Sequence, residues 1–194
     1  GAWQDGKEDE VTGNSKFAVG FWFAVVMAFL GLGCNKLDPP AYFDVAGRAD
    51  AWSGGVRMIP ISTPAGDFRV WTKRVGNNPR IKVLLLHGGP GATHEYFEAF
   101  DTFLPPAGIE YYYYDQLGSA FSDQPDDPRL LELPRFVEEV EQVRKALGLG
   151  PDNFYLLGHS WGGILALEYA LAHQGRLKGL VISNMMSSIP AYNE

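Results

Sequence analysis

Ser160 lies in the stretch GHSWGG (158–163), where Gly158, Ser160 and Gly162 fill the pattern G-x-S-x-G. A serine gains access to a substrate when it is raised on a tight, strained turn between a strand and a helix. Neighbours without side chains let the backbones approach closely enough for that turn. Here a strand-like FYLL precedes the serine and a helical GGILALEYALAH follows it. A helix N-terminus also brings backbone N–H groups and a positive dipole end to the place where an oxyanion would form. The Trp161 N–H is the donor expected from this side. A glycine-rich connection with an idle serine is the bland alternative, because the bare pattern is common.

A second glycine cluster, HGGPG (87–91), follows the apolar run IKVLLL (81–86). Gly88, Gly89 and Gly91 free the backbone to turn its N–H groups toward a bound carbonyl oxygen, and Pro90 stiffens the turn. Phosphate binding is the rival use of such a loop. No GK[ST] follows and the spacing is not G-x-G-x-x-G, so nucleotide chemistry is poorly supported. His87 is expected to be a structural hydrogen-bonding group in the turn. A third stretch, YDQLGSAFSDQP (114–125), follows the run IEYYYYD (109–115) at its carboxyl end, where open α/β sheets place their ligand sites.

These stretches need strands and helices to position them. VRMIPIS and FRVWTKRV, separated by TPAGD, predict a hairpin. IKVLLL predicts a strand buried on both faces, IEYYYYD and NFYLLG two further core strands, and LKGLVISN (177–184) a fourth strand. Between them, HEYFEAFDTFL predicts a helix with Tyr96, Phe97, Phe100, Phe103 and Leu104 on one face, stopped by Pro105 and Pro106. RFVEEVEQVRKALGL places Phe136, Val140, Val143 and Leu147 on one helical face, with Glu141 and Lys145 as an exposed i,i+4 pair. A hairpin followed by repeated strand–helix units implies an α/β fold, an open and mostly parallel sheet covered by helices on both faces.

The chain has 194 residues, 46% of them hydrophobic and 20% charged, which suits a domain with a real core rather than a disordered chain. A net charge of −7 without a Lys/Arg run argues against nucleic acid as a partner. Cys34 is the single cysteine, so no internal disulfide can form. No pair of histidines or cysteines has ligand spacing, and neither a metal nor another cofactor is expected. Residues 1–34 read as a signal- or anchor-like segment, 35–55 as a linker, and 56–194 as the N-terminal part of an α/β domain. FAVGFWFAVVMAFLGLG (17–33) is uncharged and reaches roughly 25 Å as a helix, against a ~30 Å hydrocarbon core. It reads as a bacterial lipoprotein signal with Cys34 lipidated, as a plain signal or short membrane tether, or as a buried N-terminal helix. Gly31 and the acidic QDGKEDE depart from a lipoprotein signal. The first two readings put the protein at the cell envelope, and the third leaves it cytoplasmic.

HGGPG, DQLGSAFSDQP and GHSWGG, in this order and at these strand ends, resemble the proline iminopeptidase (prolyl aminopeptidase) family of α/β-hydrolases over about residues 56–190. The resemblance implies an enzyme that removes N-terminal proline from peptides through an acyl-enzyme. It implies Ser160 as nucleophile and the N–H groups of Gly89 and Trp161 as the oxyanion hole, with Asp115 and Gln116 as motif residues in support. Many members carry Arg where Leu117 stands, which points to a subgroup with its own substrate preference. Other hydrolases with the same elbow (esterases, amidases, acyltransferases) and a non-catalytic envelope protein are the alternatives.

In this fold the catalytic acid and then the histidine follow the serine along the chain. The four histidines are His87, His94, His159 and His173. His159 is adjacent to the nucleophile and diverges from it, His173 is thirteen residues along the helix (nearly 20 Å at ~1.5 Å per residue), and His94 is expected to be solvated. None suits the base. The expectation is that these residues are the N-terminal part of a longer enzyme, inactive alone, whose cap, acid and base lie downstream.

Overall fold

A computed structural model describes residues 55–185. Six strands form one sheet: β1 (Val56–Thr63), β2 (Gly66–Val75), β3 (Lys82–Leu86), β4 (Glu110–Tyr114), β5 (Phe154–His159) and β6 (Gly179–Ser183). Their order is β1-β2-β4-β3-β5-β6. The hairpin pairs antiparallel and joins β4 antiparallel, while β4, β3, β5 and β6 are mutually parallel. The order turns back on itself at β3, so the loops leaving β3, β4 and β5 emerge side by side at one edge. That is the crevice in which open α/β sheets hold ligands.

The helices are α1 (Phe100–Phe103), α2 (Leu133–Ala146) and α3 (Trp161–His173). Phe136, Val140 and Val143 of α2 and Leu165, Ala166 and Tyr169 of α3 share a core with Leu84, Leu86, Tyr112 and Tyr114. The opposite face is covered by 94–104, where Phe97 packs with Trp71, Val83, Leu85, Tyr111 and Tyr113 and half-buried Phe100 and Leu104 lie against them. Alternation along a strand sends successive side chains to these two cores. The α/β expectation therefore holds, with unequal cover. At the sheet edge Leu180, Val181 and Ile182 of β6 are all exposed.

Two expectations about helix faces are corrected. Residues 94–104 are a 3-10 segment, His94–Ala99, followed by the single turn of α1. Tyr96 and Phe103 are exposed. The segment is pinned at both sides of its first turn, because Asp115 accepts the His94 N–H and the Tyr96 hydroxyl is held by the Gly88 N–H. Those anchors override the apolar spacing. Glu141 is buried rather than solvated: Arg144 donates two hydrogen bonds to it, and the Tyr169 hydroxyl a third at 2.7 Å. Lys145 does pair with it at 3.3 Å. α3 lies along the flank of α2 on the same sheet face, and Tyr169 closes over the carboxylate. Burial opposes ionisation of Glu141, but these donors hold its pKa at about 2.

The segments 1–34 and 35–55, with Cys34 and the 17–33 stretch, lie outside the described residues apart from Gly55. No helix among the described residues is long and apolar enough to cross a membrane.

Candidate active site

Ser160 stands between β5 and α3 with φ 56° and ψ −122°, a backbone conformation that a residue with a side chain adopts only when its surroundings enforce it. The enforcing contacts come from both sides. A Cβ at Gly158 would overlap the Gly162 carbonyl, and one at Gly162 would overlap the Leu86 carbonyl. The strand end and the helix start thus touch backbone to backbone, and the Ser160 N–H is fixed on the Ser183 carbonyl at 3.1 Å. The serine hydroxyl makes no cap bond to its own helix.

The HGGPG loop lies against this turn. A Cβ at Gly88 would sit 3.0 Å from Ser160 Cβ and 3.4 Å from its Oγ, so a side chain there would press directly on the serine. The Gly88 N–H is engaged by the Tyr96 hydroxyl at 2.6 Å. Gly89 has φ 117°, which turns its peptide away from the course an ordinary residue would take, and Pro90 and Gly91 complete the bend. Among the described residues nothing accepts the N–H of Gly89 or of Trp161.

His87 is fully buried, and its two ring nitrogens have assigned tasks. The Gln116 N–H donates to Nε2 at 3.0 Å, so the ring proton is on Nδ1 and points to the Gly88 carbonyl at 2.9 Å. Burial pushes the His87 pKa below its ordinary value and keeps the ring neutral. Gln116 is buried beside it, with its amide nitrogen donating to the His87 carbonyl at 3.0 Å and its oxygen accepting from Trp161 Nε1 at 3.2 Å.

Asp115 is likewise fully buried and accepts from the His94 N–H at 3.1 Å, from His94 Nδ1 at 2.8 Å and from the Phe121 N–H at 3.3 Å. His94 is therefore a buried partner of Asp115, not a solvated residue, with its ring stacked on Trp71 at 4.4 Å. Leu117 points into the core, and its N–H is held by Glu139 of α2 at 2.9 Å. Glu139 also takes bonds from the Tyr114 hydroxyl and from Arg135.

The predicted residues of the three motifs thus converge on one sheet end. The sequence reading gave His94 and Tyr96 other surroundings and did not single out Glu139. A charged helix position such as Glu139 normally reads as solvated, and no local pattern distinguishes it. No hydrogen bond joins Ser160 to any histidine. His87 and His94 are committed elsewhere, and the His159 ring packs against Tyr96 and Phe97, with its buried Nδ1 unpartnered among the described residues.

A serine raised on such an elbow, at the end of a mostly parallel α/β sheet, defines a hydrolase class. A family profile described as the alpha/beta hydrolase fold matches residues 82–193, and the chain belongs to that family. Within it the chain is 64% identical over 135 residues to a proline iminopeptidase of Elizabethkingia meningoseptica, covering 70% of this chain and 45% of that protein. It is 64% identical over 137 residues to a proline iminopeptidase of Flavobacterium johnsoniae, covering 71% and 46%. The crystal structure of a proline iminopeptidase of Mycobacterium smegmatis superposes with a TM-score of 0.62 at 29% identity, covering 70% of this chain and 46% of that one. The chain spans about half the length of the curated relatives it matches.

Proposed function

We propose that the protein is a serine hydrolase that releases N-terminal proline from peptides, and that the described residues supply its nucleophile and oxyanion hole. The observation that carries this reading is Ser160 on its enforced turn, with the unengaged N–H groups of Gly89 and Trp161 on the two loops that flank it. In the reaction, Ser160 Oγ adds to the carbonyl carbon of the N-terminal prolyl residue as a general base removes its proton. The oxygen that becomes negative accepts hydrogen bonds from Gly89 and Trp161, each typically worth ~3 kcal/mol in the transition state. Collapse expels the shortened peptide, whose new amine takes the proton. Water then attacks the prolyl ester, releasing proline and restoring Ser160. The general base and its acid come from residues outside those described, in keeping with a chain that spans about half of its relatives.

The test uses the complete protein. A serine-directed phosphonate should label Ser160, and a prolyl arylamide should be cleaved in preference to a short acyl ester. Ser160→Ala should abolish both labelling and turnover, with a loss of about 10⁶ in kcat. Preference for the ester would point to an esterase on the same elbow. No labelling of the parent protein would leave the non-catalytic alternative.

A further inference from the structure

Two donors from separate loops form an oxyanion hole only if both lie about 3 Å from the same oxygen. The Gly89 N–H belongs to the loop after β3 and the Trp161 N–H to the elbow after β5. We propose that Gln116, from the loop after β4, is the positioning residue that sets the spacing between these donors. The inference rests on the reading of Ser160 as an acyl-transfer nucleophile. β3 lies between β4 and β5 in the sheet, so the Gln116 side chain passes over the end of β3 to reach Trp161.

The connection is specific at both ends of the amide. The Trp161 indole N–H can only donate and the His87 carbonyl can only accept, so the Gln116 oxygen must face the indole and its nitrogen the carbonyl. The Gln116 backbone N–H binds His87 Nε2, a second tie to the glycine loop. His87 in turn holds the Gly88 carbonyl, which belongs to the same peptide group as the Gly89 N–H. Gln116 itself cannot drift, because each neighbour in the chain is fixed. His94 holds Asp115, and Glu139 holds the Leu117 N–H. A single buried carboxamide therefore couples the glycine loop to the first residue of α3.

The complete protein carrying Gln116→Met tests this, since the side chain keeps its length and loses both amide bonds. Expected is a fall on the order of 10- to 100-fold in kcat for a prolyl arylamide and in the rate of phosphonate labelling of Ser160. KM should stay within about 2-fold and the thermal midpoint within a few degrees. Trp161→Phe, which removes the indole donor and keeps an aromatic ring at the position, should produce a smaller fall. Adding it to Gln116→Met should cost no more, because both act on one network. Unchanged kcat and labelling in Gln116→Met would overturn the inference, as would a fall in kcat matched by a rise in KM and a lower thermal midpoint. Labelling decides the question even if the arylamide is not a substrate, which would defeat the prolyl reading alone. A parent protein that the phosphonate does not label would overturn both.

Discussion

The two flanks of Ser160 are built very differently. Toward β3 and β4, His87, Asp115, Gln116 and His94 are all buried and tied together by hydrogen bonds between the connection after β3 and the loop after β4. Toward β6, the next strand is equally apolar in sequence, yet Leu180, Val181 and Ile182 are exposed. On that side the Ser160 backbone is held through Ser183, and nothing among the described residues engages its hydroxyl. Under the proposed function, the contrast separates two tasks of a serine hydrolase. One is holding oxyanion donors rigid, for which the hydrogen-bonded flank is built. The other is deprotonating the serine, for which no histidine among the described residues is hydrogen-bonded to it.

The largest effect that could break the comparison is Gly162→Ala. The added Cβ would overlap the carbonyl oxygens of Leu86 and His87, and strand backbone cannot yield as a side-chain tip can. A loss above roughly 4 kcal/mol is expected, in the range where small domains fail to fold. Gly175→Ala, in the turn leading to β6, meets nothing within 4 Å and should stay within about 0.5 kcal/mol. Urea denaturation of the two variants measures both. Equal stabilities would mean that the elbow is not the tight junction described.

A smaller effect sharpens the same point within the strands. Leu85 of β3 is fully buried, and Leu85→Ala should cost about 2–5 kcal/mol through lost burial and the cavity left behind. Val181 of β6 is nearly half exposed, and in the 194-residue chain Val181→Ala should cost under about 1 kcal/mol. A cost for Val181→Ala close to that of Leu85→Ala would show that β6 is covered in solution.

Leu85 and Val181 also mark how far the sequence could be read. KVLLL and GLVIS are both short apolar runs bounded by turn residues, and both become strands, because that signal is local. Whether a strand is covered depends on what packs over it, which the run itself does not encode. The same holds at the site. The glycines around Ser160 announce a strand-to-helix turn, since close backbone approach demands them at fixed spacing. The partners of Asp115 and Gln116 were not legible, because they arise from the order β4-β3-β5, which brings together residues 21–45 positions apart. Glu141 was misread and Glu139 passed over for a related reason. Charges on a helix read as solvent-facing until a neighbouring element supplies donors, here the 115–117 loop for one and Tyr169 for the other.

The smallest expected effect isolates the bonded flank by pH. His87 is neutral when folded, its pKa lowered chiefly by burial, and Nε2 must stay unprotonated to accept the Gln116 N–H. Above about pH 6.5 both folded and unfolded chains hold this ring neutral, and its contribution to stability is complete. Below 6.5 the unfolded chain takes up a proton that the native ring resists. Stability therefore falls with a slope approaching ~1.4 kcal/mol per pH unit, down to the lowered native pKa, where it levels off. Denaturation of the parent and of His87→Gln from pH 7.5 to 5 should give different slopes in this window, because the variant lacks the titrating ring while every other group is shared. Parallel curves would mean that His87 is free to protonate in place, and that the hydrogen bonds holding the glycine loop are weaker than their geometry implies.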